Sequence, residues 1–241
     1  MTAGPRPRYI LSFGAGVNTA ALMVLLHRKK MPFDEAVFAD TGGELPETYE
    51  FLSVAEDYLK RRGKKLVVVR SGSGTLYDTC ARRAVIPSQI WRWSTRDYKV
   101  TPIHAYYRSL GCHVHEYLGI AYDEIHRMKA SREPYVTSHF PLVDFKLTRE
   151  DCVALIKSAR LVVPVKSGCY FCPFNSVGRW KEIHALHPEL YEKALALEES
   201  SKHFPNQRLT SLTLRGLRAT SFGEEGAVTG ADSPCGAYCM A

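Results

Sequence analysis

Two segments near the N-terminus and two pairs of cysteines hold the residues best suited to chemistry. Ser12-Phe-Gly-Ala-Gly-Val-Asn-Thr19 is a run of small residues between an apolar stretch, Arg8 to Phe13, and a helix-like stretch, Thr19 to His27. Phe38-Ala-Asp-Thr-Gly-Gly-Glu-Leu-Pro-Glu-Thr-Tyr-Glu-Phe51 sets an acid and a Gly-Gly turn at the end of another apolar run, then opens a second helix. A strand, a glycine loop and a helix N-terminus together suit a phosphate chain, because backbone N–H groups converge there and the helix dipole favours negative charge. Cys169-Tyr-Phe-Cys172 lies in a turn bounded by Gly168 and Pro173, and Cys235-Gly-Ala-Tyr-Cys239 follows a Gly/Ala/Ser-rich stretch. A C-x2-C turn aims two sulfurs at one point, and a second pair completes a tetrahedral or cubane site. The C-x3-C spacing is less typical of a zinc knuckle and favours an iron–sulfur cluster (4Fe-4S) over Zn2+. A redox dithiol or a persulfide carrier is the other reading of the paired thiols. Cys80, Cys112 and Cys152 read as structural. His184 and His187 read as helix-surface residues that can also replace a ligand.

The elements that position these residues follow from periodicity. The first 120 residues alternate strand and helix patterns, which predicts an α/β, Rossmann-like, doubly wound parallel sheet. Strands are expected near Tyr9–Phe13, Ala36–Phe38, Lys65–Val69 and Val114–Ile120, with helices over 18–28, 46–62 and 102–110. Residues 71–101 have weaker periodicity and are expected to form a long functional loop with short helical turns. Beyond residue 140 the pattern turns helical: Thr148-Arg-Glu-Asp151 caps one helix and 188–201 forms another. The expected division is a nucleotide-binding α/β domain over 1–140 and a helical, cysteine-bearing region over 141–241.

At 241 residues, with 45% hydrophobic and 24% charged residues, the composition is that of an ordinary soluble protein able to bury a core. No apolar stretch approaches the length of a membrane span, and the first residues lack a signal core, so the expected location is cytoplasmic. In that compartment cysteines serve more often as metal ligands or nucleophiles than as disulfides. The net charge of +7 favours polyanionic partners. Its densest run, Lys60-Arg-Arg-Gly-Lys-Lys65, reads first as a helix C-terminus with Gly63 as its C′ residue, and second as a nucleic-acid contact. The aromatic-basic stretch Trp91-Arg-Trp-Ser-Thr-Arg96 suits a nucleic-acid or nucleotide substrate, since aromatic rings stack on bases.

The glycine loop is not a Walker loop, because it lacks the Gly-Lys-Ser/Thr ending, and the third glycine of the dinucleotide fingerprint is replaced by Thr19. It resembles the PP-loop of ATP pyrophosphatases, in the branch that contains phosphoadenosine phosphosulfate (PAPS) reductases, with an adenine nucleotide alpha-hydrolase fold. Phe38-Ala-Asp-Thr-Gly42 with Pro46-Glu-Thr-Tyr-Glu-Phe51 is similar to the branch's Asp-Thr-Gly…Pro-Glu-Thr-Tyr signature. Thr95, Lys99 and Pro102 are similar to its Cys-Thr…Lys…Pro segment, and Leu118-Gly-Ile…Asp123-Glu124…Arg127 to its later Gly-Ile…Asp-Glu…Arg segment. Two positions depart from the pattern: Asn18 stands where Asp is usual, and Ser94 where many relatives have Cys.

The resemblance implies binding of ATP with Mg2+ and cleavage between the α and β phosphates. Ser12, Gly14, Ala15, Gly16, Asn18 and Thr19 are then expected around the phosphates, with Asp40, Thr41, Gly42 and Gly119 at the nucleotide. Lys99 and Arg127 are expected to neutralise phosphate charge, and Glu124 to meet magnesium or substrate. Metal ligation is expected from Cys169, Cys172, Cys235 and Cys239. The leading reading is adenylation of a nucleic acid or nucleotide followed by sulfur transfer from a sulfur donor. The alternatives are a sulfonucleotide reductase drawing on a thiol reductant, and a nucleotide-binding sensor without catalysis, for which Asn18 is the best support.

Overall fold

The computed structural model describes residues 5–201, 208–210 and 212–221. The chain runs β1 (Arg8–Ser12), α1 (Val17–Arg28), β2 (Glu35–Asp40), α2 (Pro46–Lys60), β3 (Lys65–Arg70), α3 (Leu76–Arg83) and α4 (Trp93–Thr95). A π-helical turn (Arg96–Val100) leads into α5 (Thr101–Ser109) and β4 (Val114–Leu118), and a 3-10 segment (Tyr122–Arg127) into β5 (Val136–His139). Then come α6 (Pro141–Asp144), α7 (Arg149–Ser158), α8 (Val177–Leu186), α9 (Pro188–Ser200) and α10 (Leu214–Ser221).

The five strands form one parallel sheet in the order β3-β2-β1-β4-β5. Central strands of such a sheet are covered on both faces and read as apolar runs, as the wholly buried β2 does. Successive side chains alternate between faces. Leu11 joins Leu22, Phe51, Leu59 and Ile156 in a core under α1, α2 and α7, while Ile10 joins Val37, Ile103 and Tyr107 beneath α5. Helix α1 is buried around most of its surface because the sheet lies on one side of it and α7 on the other. Helix α7 begins at the expected capping box, in which the Thr148 and Asp151 side chains hydrogen-bond reciprocally to backbone N–H groups.

Two stretches differ from the sequence reading. Residues 71–101 hold a capped helix, α3, and the π-helical turn, both packed into a second core with Leu45, Cys169, Phe171, Trp180 and Tyr191. Strand β5 has four residues and a half-polar face, too short to show a period. The first core also continues past residue 140, through Leu142, Cys152 and Ile156, so packing partners change after α7. His187 is bonded to Glu47 at 2.8 Å and ties the start of α9 to α2. Cys80 and Cys152 are fully buried, and burial pushes both thiols up to about 12, where they are inert. Among the described residues no helix is long and apolar enough to cross a membrane.

Candidate active site

Strand order reverses direction between β1 and β4, and in open parallel sheets ligands bind at that switch, beyond the carboxyl ends of the strands. Ser12 pairs with Val37 on one side and Leu118 on the other, so the loops leaving β1, β2 and β4 emerge together. The glycine loop is bent by Ala15, which takes a left-handed conformation (φ 55) while buried, a strain that tends to mark functional loops. Gly16 caps α1, whose first turn carries no acidic side chain, so its positive end is not neutralised by its own sequence. Gly119, one residue past β4, passes against that end: a Cβ there would stand 2.6 Å from Thr19 Cγ2 and 3.0 Å from the Thr19 backbone nitrogen. Glycine is therefore required for the two loops to meet.

Asn18, Glu124 and Arg127, spread over more than a hundred residues, are brought together here. Asn18 Nδ2 donates to Glu124 Oε2 at 2.8 Å, and Arg127 pairs with Glu124 Oε1. An aspartate at position 18 would set two carboxylates against each other; the amide makes the pair self-complementary. Asn18 Oδ1 is buried without a partner and offers an acceptor, not a donor, to whatever binds. The cluster carries no net charge, and its one carboxylate is occupied. Asp40 is similarly committed: Oδ1 accepts from the Gly42 N–H (2.8 Å) and Tyr49 hydroxyl (2.9 Å), and Oδ2 from Arg70 Nε (2.9 Å). Its work is to brace the left-handed turn at Gly42 (φ 70), beside Thr41. Both carboxylates are thus already engaged by donors of the protein itself.

The C-x2-C turn docks on this same loop. Glu44 and Cys169 form an antiparallel bridge, and Tyr170 N–H donates to Gly43 O at 2.9 Å. A Cβ on Gly43 would meet the Phe171 ring at 2.7 Å. The turn closes with Cys172 N–H to Cys169 O at 3.0 Å. Cys169 Sγ is buried, 3.2 Å from Thr41 Oγ1 and 3.8 Å from Glu44 Oε1. Burial, then the Glu44 carboxylate, push this thiol well above its ordinary value, against the pull of Lys99. Among the described residues no group of three or more His, Cys, Asp or Glu is assembled for a metal, and Cys235 and Cys239 lie outside those residues.

Lys99 connects the two halves of the site. The π-helical turn, a distortion frequent at functional sites, sets its ammonium 3.4 Å from Glu44 Oε1. Lys99 lines a narrow cavity with Thr41, Cys169 and Cys172, and also a cavity of about 640 Å³ with Ser12, His104, Glu116, Lys129 and Arg132. Sequence reading did not single out Glu44 or Ser167. Ser167 Oγ lies 2.9 Å from where a Gly16 Cβ would stand, so the segment entering the cysteine turn crosses the glycine loop. The only local sign is the Ser167-Gly168 pair before Cys169.

Glu116 in the larger cavity accepts from Tyr107 Oη at 3.0 Å, and burial raises its carboxyl from 4.5 to about 7 against that hydrogen bond. A raised acid binds its proton more tightly folded than unfolded, so its contribution is complete below 4.5 and is lost as pH rises through about 7. Glu116→Gln is expected to gain stability relative to the parent protein by on the order of 3 kcal/mol between pH 4 and 8.5. Urea titrations of both proteins at the two pH values check this; parallel profiles would show that Glu116 ionises normally.

The model of the phosphoadenosine phosphosulfate reductase domain matches residues 8–134, from β1 through the loop after β4. Among solved structures, phosphoadenylyl-sulfate reductase from Candida auris, a phosphate complex, is similar at 16% identity and a TM-score of 0.45, over 66% of this chain and 75% of that one. The U34-tRNA thiolase NcsA from Methanococcus maripaludis, solved with its 4Fe-4S cluster, is similar at 13% identity and a TM-score of 0.44, over 83% of this chain and 74% of that one. No curated protein matches the chain. Matched over more than half its length, in the region that builds the switch-point cleft, the chain belongs to the phosphoadenosine phosphosulfate reductase domain family.

Proposed function

We propose that this chain binds ATP at the β1/β4 switch point, cleaves it between the α and β phosphates, and adenylates a nucleic acid or nucleotide for sulfur transfer. The observation that carries this reading is the double position of Lys99, which faces Ser12 in one cavity and Cys169 with Cys172 in the next. A cation at that junction serves phosphate charge on one side and a thiolate on the other. Ser12, Gly14, Gly16 and Thr19, with the open end of α1, receive the phosphates. Arg127 and Asn18 hold Glu124 at the edge of the same cleft.

In the first step an acceptor oxygen attacks the α-phosphorus, the bond to the bridging oxygen breaks, and pyrophosphate leaves with that electron pair. The acceptor proton is released to solvent. In the second step a sulfur nucleophile from a donor displaces AMP. Cys169 and Cys172, joined by Cys235 and Cys239, are proposed to hold a 4Fe-4S cluster. Such a cluster, when bound, supplies thiophilic iron for the sulfur to be transferred. Lys99 and the Thr41 hydroxyl favour the thiolate form of Cys169, against the larger effects of burial and Glu44.

The test is product analysis with ATP, sulfide and either RNA or DNA oligonucleotides. AMP and pyrophosphate in equal amounts, formed only with an acceptor, are expected. ADP with orthophosphate overturns the reading, and so does ATP binding without turnover. Thiol-dependent sulfite release from PAPS with no ATP consumed would put a sulfonucleotide reductase in its place.

A further inference from the structure

The loop between α3 and α4 takes no part in the chemistry above, yet it walls the cysteine cavity. Pro87 and Ser88 of this loop, with Ser94 and Thr95 of α4, line it together with Cys169, Cys172 and Lys99. At its tip Ile90 and Trp91 are 85% and 70% exposed. Two adjacent large apolar side chains turned to water are a cost unless something covers them. The tip is also held in shape. Gln89 Nε2 donates to Pro173 O at 2.5 Å, and Ser88 Oγ accepts from the Ile90 N–H at 3.2 Å. Arg92 takes a left-handed conformation (φ 40), its guanidinium lies 5.8 Å from the Phe174 ring centre, and Trp93 packs edge-on against buried Tyr98. A fixed base thus presents Trp91 outward.

The charge around the tip selects the partner. From Thr79 to Arg96 the chain has four arginines, Arg82, Arg83, Arg92 and Arg96, and no acidic residue. Arg96 is paired with Asp97, whereas Arg82 and Arg83 are exposed on the last turn of α3. An exposed aromatic ring in a stretch of chain whose charges are all positive suits unpaired nucleotides, the ring stacking a base and the cations meeting phosphates. An apolar protein surface would gain nothing from the arginines.

We propose that residues 82–96 are the docking platform for the acceptor, a single-stranded nucleic acid with an unpaired base stacked on Trp91 and its phosphates on Arg82 and Arg83. A neighbouring nucleotide is then led toward Lys99 and the larger cavity that it lines with Ser12. The role of the bound strand as acceptor rests on the function proposed above, but its binding does not.

The test uses the full chain and fluorescence anisotropy with a 20-nucleotide single strand, as DNA and as RNA, and the same sequence as duplex. Single strand is expected to bind more tightly than duplex. Trp91→Ala is expected to weaken it ~10–100-fold, and Trp91→Phe to recover most of the loss. Arg82→Gln with Arg83→Gln is expected to flatten the dependence on salt. ATP binding stays unchanged in all of these variants. Single-strand affinity unaltered in Trp91→Ala overturns the proposal, as does preference for duplex. Failure to bind any single strand while ATP still binds also overturns it and leaves the tip to a protein partner. Trp91-dependent binding in a protein that yields ADP from ATP would uphold the platform while removing the adenylation reading.

Discussion

Replacing Lys99 by methionine is expected to cut the rate of ATP-dependent pyrophosphate release by ~100–1,000-fold, the usual effect of removing one charge-stabilising donor from a reaction centre. The same substitution is expected to destabilise the fold by about 3 kcal/mol. The two effects have one origin. Glu44 is almost completely buried, its Oε2 makes no hydrogen bond, and the Lys99 ammonium is 3.4 Å from its Oε1. Methionine keeps the apolar stem and removes the charge, leaving a carboxylate in a low-dielectric pocket beside Cys169.

Stability and rate separate in the double variant. Glu44→Gln added to Lys99→Met removes the stranded charge and is expected to recover most of the stability but none of the rate. Urea denaturation and pyrophosphate release on the four proteins of this cycle give both quantities. A single Lys99→Met variant as stable as the parent would remove the ion pair from the account. A single variant as active as the parent would remove Lys99 from catalysis.

The parts of the fold that sequence made legible are those whose signal is local. β1 and β2 are apolar runs because a parallel sheet buries both faces, and the Thr148–Asp151 box announces a helix by its own hydrogen bonds. The glycine loop and the Asp40–Gly42 turn were likewise visible as turns that open helices. The partners of Asp40 were not: Gly42, Tyr49 and Arg70 donate to it, and Arg70 belongs to the neighbouring strand. The contact of Asn18 with Glu124 is likewise absent from any local pattern. Ser167 reaches Gly16, and Lys99 reaches Glu44, only through tertiary packing and the π-helical turn, neither of which has a period to read. Side-chain contacts at this site are made with partners far away in sequence, which one-dimensional patterns do not encode.

Anaerobically prepared protein is expected to contain about four irons with matching sulfide per chain, and Cys169→Ser with Cys172→Ser to contain none. Serine is the right probe because the site tolerates it. A hydroxyl at 169 keeps a hydrogen-bonding atom near Thr41 Oγ1 and Glu44 Oε1, and the turn remains held by the Tyr170 and Cys172 backbone hydrogen bonds. Loss of iron with an unchanged circular dichroism spectrum therefore reports ligation and not unfolding. Cys235→Ser with Cys239→Ser separates the two pairs: equal loss of iron assigns all four thiolates to one centre, and full retention removes the second pair from it. Cys80→Ser is the internal control, since that thiol is enclosed in the second core and pushed up to about 12 by burial. Stoichiometric zinc in place of iron would keep the ligand set and change the chemistry, because zinc has no redox step and would leave sulfur delivery to a persulfide. Protein that is folded, monodisperse and free of both metals after anaerobic preparation would end the metal-centre reading, and Cys169 and Cys172 would then be a dithiol beside the nucleotide loop.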